Sequence, residues 1–139
     1  MAKMNQEHLN VLLDVALSMG CDMLERNGVF FPYAVSLEKD GNVQRSSEID
    51  VESCEDTPQD LFHDYQLRLK RNVIEGLFTG CSIGLDVKVE RFASEGFVKA
   101  INVYIYHESG HEFECYLPYK INDDKSVDFG NVFAQQLEK

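Results

Sequence analysis

Residues 107–111 read His-Glu-Ser-Gly-His, which matches the H-E-x-x-H pattern of zinc peptidases. In those enzymes the pattern lies on a helix, so that the two histidines share one face and the glutamate stands over a metal-bound water. Here apolar and polar residues alternate on both sides of the motif. That period predicts two strands joined by a turn at Ser109-Gly110. Because the helical context is missing, the match does not by itself indicate a peptidase.

The loop length decides which residues face each other across this hairpin. A three-residue loop, 108–110, gathers the apolar residues on one face by pairing Ile105 with Phe113, Val103 with Cys115 and Ile101 with Leu117. It also sets His107 opposite His111, with Cβ atoms about 5 Å apart, close enough to share a metal ion. A catalytic zinc site needs a third protein ligand, for which His8 and His63 are the remaining histidines. One hypothesis is therefore a metal-binding protein or small metal-dependent hydrolase centred on His107 and His111.

The opposite face of the same hairpin carries aromatic and acidic residues. They are Tyr104, Tyr106, Glu112, Glu114 and Tyr116. Tyrosine offers a large contact area at low entropic cost, and carboxylates attract a cationic surface. We interpret this set as a candidate partner-binding surface. The alternative is cross-strand tyrosine pairing that only stabilises the sheet.

The net charge of the chain is −11, from 24 acidic and 13 basic residues. So acidic a chain repels nucleic acid and anionic membranes, and we expect it to bind neither. The charge fits either plain solubility or a basic protein partner. The apolar stretch from Leu9 to Leu24 is interrupted by Asp14 and Asp22, and it lacks the basic start and cleavage site of a signal peptide. We therefore expect a cytoplasmic protein.

Cofactor and cysteine motifs are absent from the sequence. There is no glycine-rich phosphate loop and no G-x-S-x-G elbow, so no cofactor is predicted. The cysteines are widely spaced without a C-x-x-C pair, at positions Cys21, Cys54, Cys81 and Cys115. In a cytosolic chain this spacing favours reduced thiols over disulfides or a structural zinc site.

The first part of the chain reads as a helix and a hairpin. Residues 7–26 carry an apolar stripe at intervals of three and four. A turn rich in Asp and Gly follows, with predicted strands near 29–38 and 42–47. A three-residue loop between them would place Leu37 opposite Val43 on one face.

A second helix follows an acidic connection at 48–60. Thr57 is the expected N-cap and Pro58 the first helical residue, where its missing N–H costs no hydrogen bond. The apolar stripe of this helix is expected to reach Leu77, with Gly80 as the stop signal.

From Cys81 the period changes to two. Apolar residues alternate there with residues such as Ser82, which predicts a half-buried strand. A turn at 94–96 leads to the hairpin around the histidines, and a turn at 122–125 leads to a short strand at 126–129. The C-terminal tail shows no clear period.

These elements predict a single domain of the α+β class over residues 1–139. The predicted order is α-β-β-α-β-β-β, with the two helices packed on one face of an antiparallel sheet. The other sheet face would then be solvated or available for binding, and a pocket for a small ligand between helices and sheet stays open.

Two segments, Gly-Val-Phe-Phe-Pro-Tyr-Ala at 28–34 and Leu-Pro-Tyr at 117–119, together resemble a pattern of small bacterial cytosolic proteins for which no activity is established. The pattern has a G-x-F-x-P-[FY]-A hairpin after a first helix and an L-P-Y strand near the C-terminus. Its counterparts here are Gly28, Phe30, Pro32, Tyr33, Ala34, Leu117, Pro118 and Tyr119. The resemblance implies a bacterial α+β domain and carries over no catalytic residue.

The leading hypothesis is a non-enzymatic interaction protein that binds a basic partner, in the manner of an inhibitor or immunity protein. It depends on the net charge and on the tyrosine and glutamate set of the hairpin. Similarity to inhibitors and immunity proteins is one of size and charge only.

Overall fold

The structure is a computed structural model that describes residues 6–28, 32–47, 58–88 and 99–136. Its elements are α1 (Gln6–Asn27), β1 (Tyr33–Glu38), β2 (Val43–Ser47), α2 (Pro58–Ile74), β3 (Phe78–Lys88), β4 (Lys99–His107), β5 (Glu112–Ile121), β6 (Val127–Phe129) and β7 (Phe133–Gln136). The sequence expectations for Phe30, the acidic run 48–57, Cys54, Thr57 and the turn at 94–96 lie outside the described residues. The prediction of an α+β fold with two helices and an antiparallel sheet is confirmed.

The seven described strands belong to one antiparallel sheet, six of them in the order β2-β1-β3-β4-β5-β6. β7 also pairs with β5, over its first half, whereas β6 pairs with the last part of β5. Both hairpin registers are as predicted: Leu37 lies opposite Val43, and the β4–β5 pairs are Ile105 with Phe113, Val103 with Cys115 and Ile101 with Leu117. The alternation of apolar residues therefore fixes both registers correctly.

α1 packs on one face of this sheet, called here the α1 face. It ends where Gly28 takes a positive φ of 75° and donates its N–H to the Leu24 carbonyl at 2.8 Å. Its apolar stripe is buried against residues from β1, β4 and β5. The cluster consists of Leu9, Leu12, Ala16, Leu24, Tyr33, Val35, Leu37, Ile101, Val103, Ile105, Cys115, Leu117 and Tyr119.

α2 packs on the opposite face, called here the α2 face. Its Tyr65, Leu69 and Val73 are buried against residues of β1, β3 and β4 that point away from α1. These are Ala34, Cys81, Ile83, Tyr104 and Tyr106. The expectation that both helices cover one face is corrected by these contacts. Because α2 connects the edge strand β2 to β3, it crosses over β1 on the side that α1 leaves free. Neither face of the central strands is therefore open.

The composition of β3 explains why its sequence predicts burial on one face only, although both faces are covered. Alternate residues of β3 point to the α1 face, and they are the small residues Gly80, Ser82 and Gly84. Ser82 is buried there, although the sequence pattern placed it on a solvated side. Small side chains on a strand allow a helix to pack closely on it. The alternation in β3 therefore separates large apolar residues on the α2 face from small residues on the α1 face, and both faces are covered.

Two further boundaries differ from the sequence expectations. α2 ends at Ile74, and Gly76 with a φ of 84° follows it, so Gly80 is not the stop but a residue of β3. Leu77 accordingly lies outside the helix and is 60% exposed. The short strand expected at 126–129 is present as β6, whereas β7 forms in the tail for which no strand was predicted.

Among the residues that the structure describes, neither helix combines the length and the apolar character that crossing a bilayer requires.

Candidate functional site

The tyrosines of the predicted partner surface are part of the core. Tyr104 is 0% and Tyr106 is 9% exposed, because α2 covers this part of β4. The Tyr104 ring meets Phe62 of α2 edge-on, with 6.1 Å between the ring centroids. These two tyrosines therefore offer no area to a partner, and that part of the expectation is corrected. Their role is packing between α2 and the sheet.

Glu112 is engaged in an internal network at the rim of the α2 core. Its carboxylate accepts the Tyr104 hydroxyl at 2.6 Å and lies 3.0 Å from the Lys70 ammonium. Lys70 also stands over the Tyr106 ring, 5.0 Å from its centroid. Burial, and next the bond to this carboxylate, raise the pKa of Tyr104 above its usual value. Glu112 thus links α2 to β5 and has its charge balanced within the chain.

On the α2 face, three residues of β5 and β7 lie outside the area that α2 covers. We call Glu114, Tyr116 and Phe133 the β5–β7 patch. Tyr116 and Phe133 lie side by side on paired strands with their rings stacked at 4.9 Å. All three side chains are half-buried, so part of each remains accessible. The patch keeps two of the five residues predicted for partner binding and adds one from the C-terminal strand.

In the β5–β7 patch a tyrosine hydroxyl is hydrogen-bonded to a glutamate carboxylate. The Tyr116 hydroxyl donates to Glu114 at 2.5 Å. Burial, and next this bond, raise the pKa of Tyr116 to about 12, so the phenol stays a donor at neutral pH. Within the described part of the chain no lysine or arginine forms an ion pair with Glu114. Glu114 therefore carries a charge that is open to a partner.

The histidines of the motif form a second cluster on the α1 face. His107 is 1% exposed, and its Nδ1 accepts the main-chain N–H of Ser109 at 3.1 Å. Its other nitrogen, Nε2, lies 3.0 Å from Nδ1 of His8 on α1. The Ser109 hydroxyl lies between the rings of His107 and His111, at 2.8 Å and 2.7 Å from their Nδ1 atoms. His111 faces His107 across the turn, as the register predicts.

This cluster does not assemble a three-histidine metal centre. His8 approaches His107 at Nε2 and His111 lies on the Nδ1 side, so one ion cannot contact all three rings. His63 is exposed on α2, at the other face of the sheet. No group of three or more metal-ligating side chains occurs among the described residues. The third ligand that a catalytic zinc needs is therefore not supplied by either of the histidines considered for it.

Ser109 lies within hydrogen-bond distance of a histidine, the arrangement that nucleophilic catalysis uses. Here the same His107 Nδ1 already accepts the main-chain N–H of the serine. The neighbouring N–H groups are engaged too: Glu108 donates to the Thr79 carbonyl at 2.9 Å and Gly110 to the His107 carbonyl at 2.8 Å. These three donors are thus not directed at a site where an oxyanion could form. The contacts close the turn, which the Lys39–Glu108 ion pair at 2.6 Å also holds.

The cysteines of the described residues are free thiols. Burial raises the pKa of Cys81 to about 12 and raises that of Cys115 and Cys21 as well. A raised pKa keeps these groups in the unreactive thiol form.

Two of the contacts in these clusters had no local signal in the sequence. His8 and His107 are 99 positions apart, and only the seating of α1 brings them together. Phe133 lies in a tail without period, and its place beside Tyr116 comes from the β5–β7 pairing. Comparison of the chain with protein-family models, with curated proteins and with solved structures found no match. The geometry of the described residues is therefore the basis for assigning a function.

Proposed function

We propose that this protein is a non-enzymatic interaction module of the cytosol that binds a basic partner protein through the β5–β7 patch, in the manner of an inhibitor or immunity protein. The observation that carries the proposal is the pair of stacked, half-buried rings next to a carboxylate without a cationic partner among the described residues. Aromatic side chains with accessible faces are typical anchors of protein interfaces.

Preorganisation supports this assignment. Tyr116 is held by its stacking on Phe133 and by its bond to Glu114, so little rotamer freedom is left to lose on binding. The same bond directs the Glu114 carboxylate along the surface. A lysine or arginine of a partner could then pair with this carboxylate while its alkyl chain covers the rings.

The charge of the whole chain supports a cationic partner. A net charge of −11 attracts a basic protein over a distance of about one Debye length and speeds its association. Glu112 differs from Glu114 in this respect, because Lys70 already balances its charge. We therefore assign partner pairing to Glu114 and structural pairing to Glu112.

The experiment is affinity capture from the source lysate with three baits. They are the wild type, the double variant Glu114→Gln/Tyr116→Ala, and the control Glu25→Gln. The control removes one carboxylate from the exposed face of α1, far from the patch, and so changes the net charge equally. We expect the wild type and the control to retain one basic protein in near-stoichiometric amount, released as salt rises, and the double variant to lose it.

Retention of the same protein by the double variant would show that the patch is not the interface. Equal loss from the double variant and from the control would reduce the interaction to net charge. Thermal unfolding of all three baits by circular dichroism checks that each is folded at the capture temperature. Once the partner is named, titration calorimetry of the same variants gives the contribution of the patch to the affinity.

A further inference from the structure

The His8–His107 contact joins the beginning of α1 to the end of β4. His8 lies in the first turns of α1, and His107 is the last residue of β4. Their ring nitrogens are 3.0 Å apart, and the ring centroids 5.3 Å. This is a side-chain hydrogen bond between two elements that also meet through the apolar cluster of the α1 face.

The protonation state of the pair follows from one main-chain group. The N–H of Ser109 can only donate, so Nδ1 of His107, 3.1 Å away, has to be without a hydrogen. A neutral His107 then carries its hydrogen on Nε2 and donates it to Nδ1 of His8. The observed geometry is therefore that of two neutral rings, each in one defined tautomer.

Adding a proton to either ring breaks this arrangement. A cationic His8 has a hydrogen on Nδ1, which faces the hydrogen on Nε2 of His107. A cationic His107 has a hydrogen on Nδ1; the Ser109 hydroxyl, 2.8 Å away, can accept it, but the N–H of Ser109 then opposes that hydrogen and loses its acceptor. In both cases two donors oppose each other and one hydrogen bond is lost.

The surroundings of His107 disfavour its cationic form. Burial, and next the His8 ring, hold the pKa of His107 below its ordinary value. The other charged or titratable groups near it are Glu108, whose carboxylate acts in the opposite sense, and His111 and Lys39, which act in the same sense. Since Lys39 pairs with Glu108, its ammonium offsets the one carboxylate that would favour a proton here.

We propose that the His8–His107 hydrogen bond is an acid-sensitive clasp that holds the first turns of α1 against the β4–β5 hairpin and lets them open below about pH 6.5. The direction of the pH effect follows from the coupling between proton binding and opening. A histidine of the unfolded or open chain takes up a proton near pH 6.5, and the buried His107 does so only at lower pH. The open form therefore binds more protons below pH 6.5, so the closed form is fully stable above that pH and loses stability as the pH falls.

The test is hydrogen exchange of the full chain at pH 7.5, 6.5 and 5.5, corrected for the intrinsic rate at each pH. The amides that report opening are those of residues 10–13, the first that the helix can protect, and those of residues 20–24 serve as the internal reference. We expect opening of the first turns to rise roughly tenfold between pH 7.5 and 5.5, the effect of losing one hydrogen bond of ordinary strength. The reference amides should change much less.

Two matched variants separate the clasp from a general effect of acid. His8→Asn replaces the ring by an amide whose oxygen accepts the His107 hydrogen but does not titrate. His63→Asn makes the same change on α2, where the side chain is exposed and on the other face. We expect a smaller acid response in H8N, in which only His107 of the pair can still take up a proton, and an unchanged one in H63N.

An equal acid response in H8N and the wild type would overturn the clasp, as would first-turn amides that do not respond to pH in the wild type. If H8N does not fold, the ring nitrogens of the wild type decide the matter. Nitrogen chemical shifts at pH 7.5 should show His107 with its hydrogen on Nε2 and His8 without one on Nδ1. Any other tautomer of His107 at that pH contradicts the proposal.

Discussion

The α1 face and the α2 face of the sheet each receive one helix, but they hold it by different interactions. On the α1 face, two strand side chains donate to main-chain carbonyls in the helix. Ser82 reaches the Leu12 carbonyl at 2.9 Å, and Tyr33 reaches the Ala16 carbonyl at 2.5 Å. On the α2 face Lys70 of the helix and Glu112 of β5 meet instead through the ends of their side chains, 3.0 Å apart.

The distance of closest approach also differs between the faces. On the α1 face the Tyr33 ring lies between the helix and β3: a Cβ added at Gly20 of α1 would be 2.7 Å from its hydroxyl, and one added at Gly84 would be 2.1 Å from a ring carbon. On the α2 face the same strand presents the larger side chains of Cys81 and Ile83. Hydrogen bonds to the main chain and close backbone contact fix the position of a helix along the sheet. Contacts between long side chains tolerate small shifts, so we expect α1 to be the more rigidly seated helix.

The largest expected effect comes from removing one central leucine from each helix. Leu12 is 0% and Leu69 is 8% exposed. Leu12→Ala should lower the free energy of unfolding by about 4 kcal/mol, and Leu69→Ala by about 2 kcal/mol, because a cavity against a rigid seat collapses less. Urea unfolding followed by circular dichroism measures both. A larger loss for Leu69→Ala would reverse the comparison.

The next effect tests the close approach itself. Gly84→Ala should cost about 3 kcal/mol, because the new methyl group overlaps the Tyr33 ring. Gly80→Ala is the control on the same strand and face; its added Cβ would be 2.9 Å from a terminal methyl of Leu12 and 3.1 Å from the Tyr106 carbonyl oxygen, and it does not meet the Tyr33 ring. A double-mutant cycle with Tyr33→Leu should recover most of the loss at Gly84 and none at Gly80. Additive losses at Gly84 would mean that the ring is not the cause.

Removing a buried phenol on each face distinguishes the two kinds of polar contact. Tyr104→Phe should cost about 2 kcal/mol, since its acceptor is a carboxylate, and Tyr33→Phe about 1 kcal/mol, since its acceptor is a carbonyl. The pKa of both phenols is raised, mainly by burial, so they stay protonated in the fold while the unfolded chain ionises above pH 10. Stability is therefore full below that pH and lost above it. Each Phe variant should show a smaller loss between pH 9 and 11 than the wild type.

The smallest expected effect comes from the ion pairs on the two helices. Lys70→Gln should cost about 1 kcal/mol, because its pair with Glu112 is partly shielded and links α2 to β5. Arg26→Gln on α1 removes an exposed pair with Asp22, and we expect a few tenths of a kcal/mol from it. Raising the salt concentration should narrow the difference between them. Equal costs in low salt would show that Lys70 does not hold α2.

The sequence predicts much of this fold where the signal is local. Strict alternation and the turn residues give both hairpin registers, including the pair Leu37–Val43. Which face of the sheet each helix covers cannot be read from the local sequence. Ser82 looks solvated because it is a polar residue alternating with apolar ones, and Tyr104 looks like a surface residue because it shares a strand face with glutamates. Their burial follows from where α1 and α2 dock, and that depends on the whole chain.

The candidate site is predicted only in part for the same reason. Glu114 and Tyr116 were found because they alternate on a strand, whereas Phe133 has no period around it. The facing of His107 and His111 follows from register, but the partner that matters for His107 is His8, on a helix far away in the sequence. A motif match gives residue types and spacing, and it does not give the tautomers or the tertiary neighbours that decide chemistry.

The division of the outer edge of β5 between two short strands bears on how this chain avoids self-association. β5 spans ten residues, of which β6 covers the last three and β7 the four from Phe113 to Tyr116. Without β7, a stretch of unpaired N–H and C=O groups would face solvent beside aromatic side chains, and such an edge recruits strands from other molecules. A chain cut before Phe133 should therefore form thioflavin-positive fibrils or amorphous aggregates sooner than the full chain. We therefore expect β7 to protect the edge of β5 from pairing with strands of other molecules.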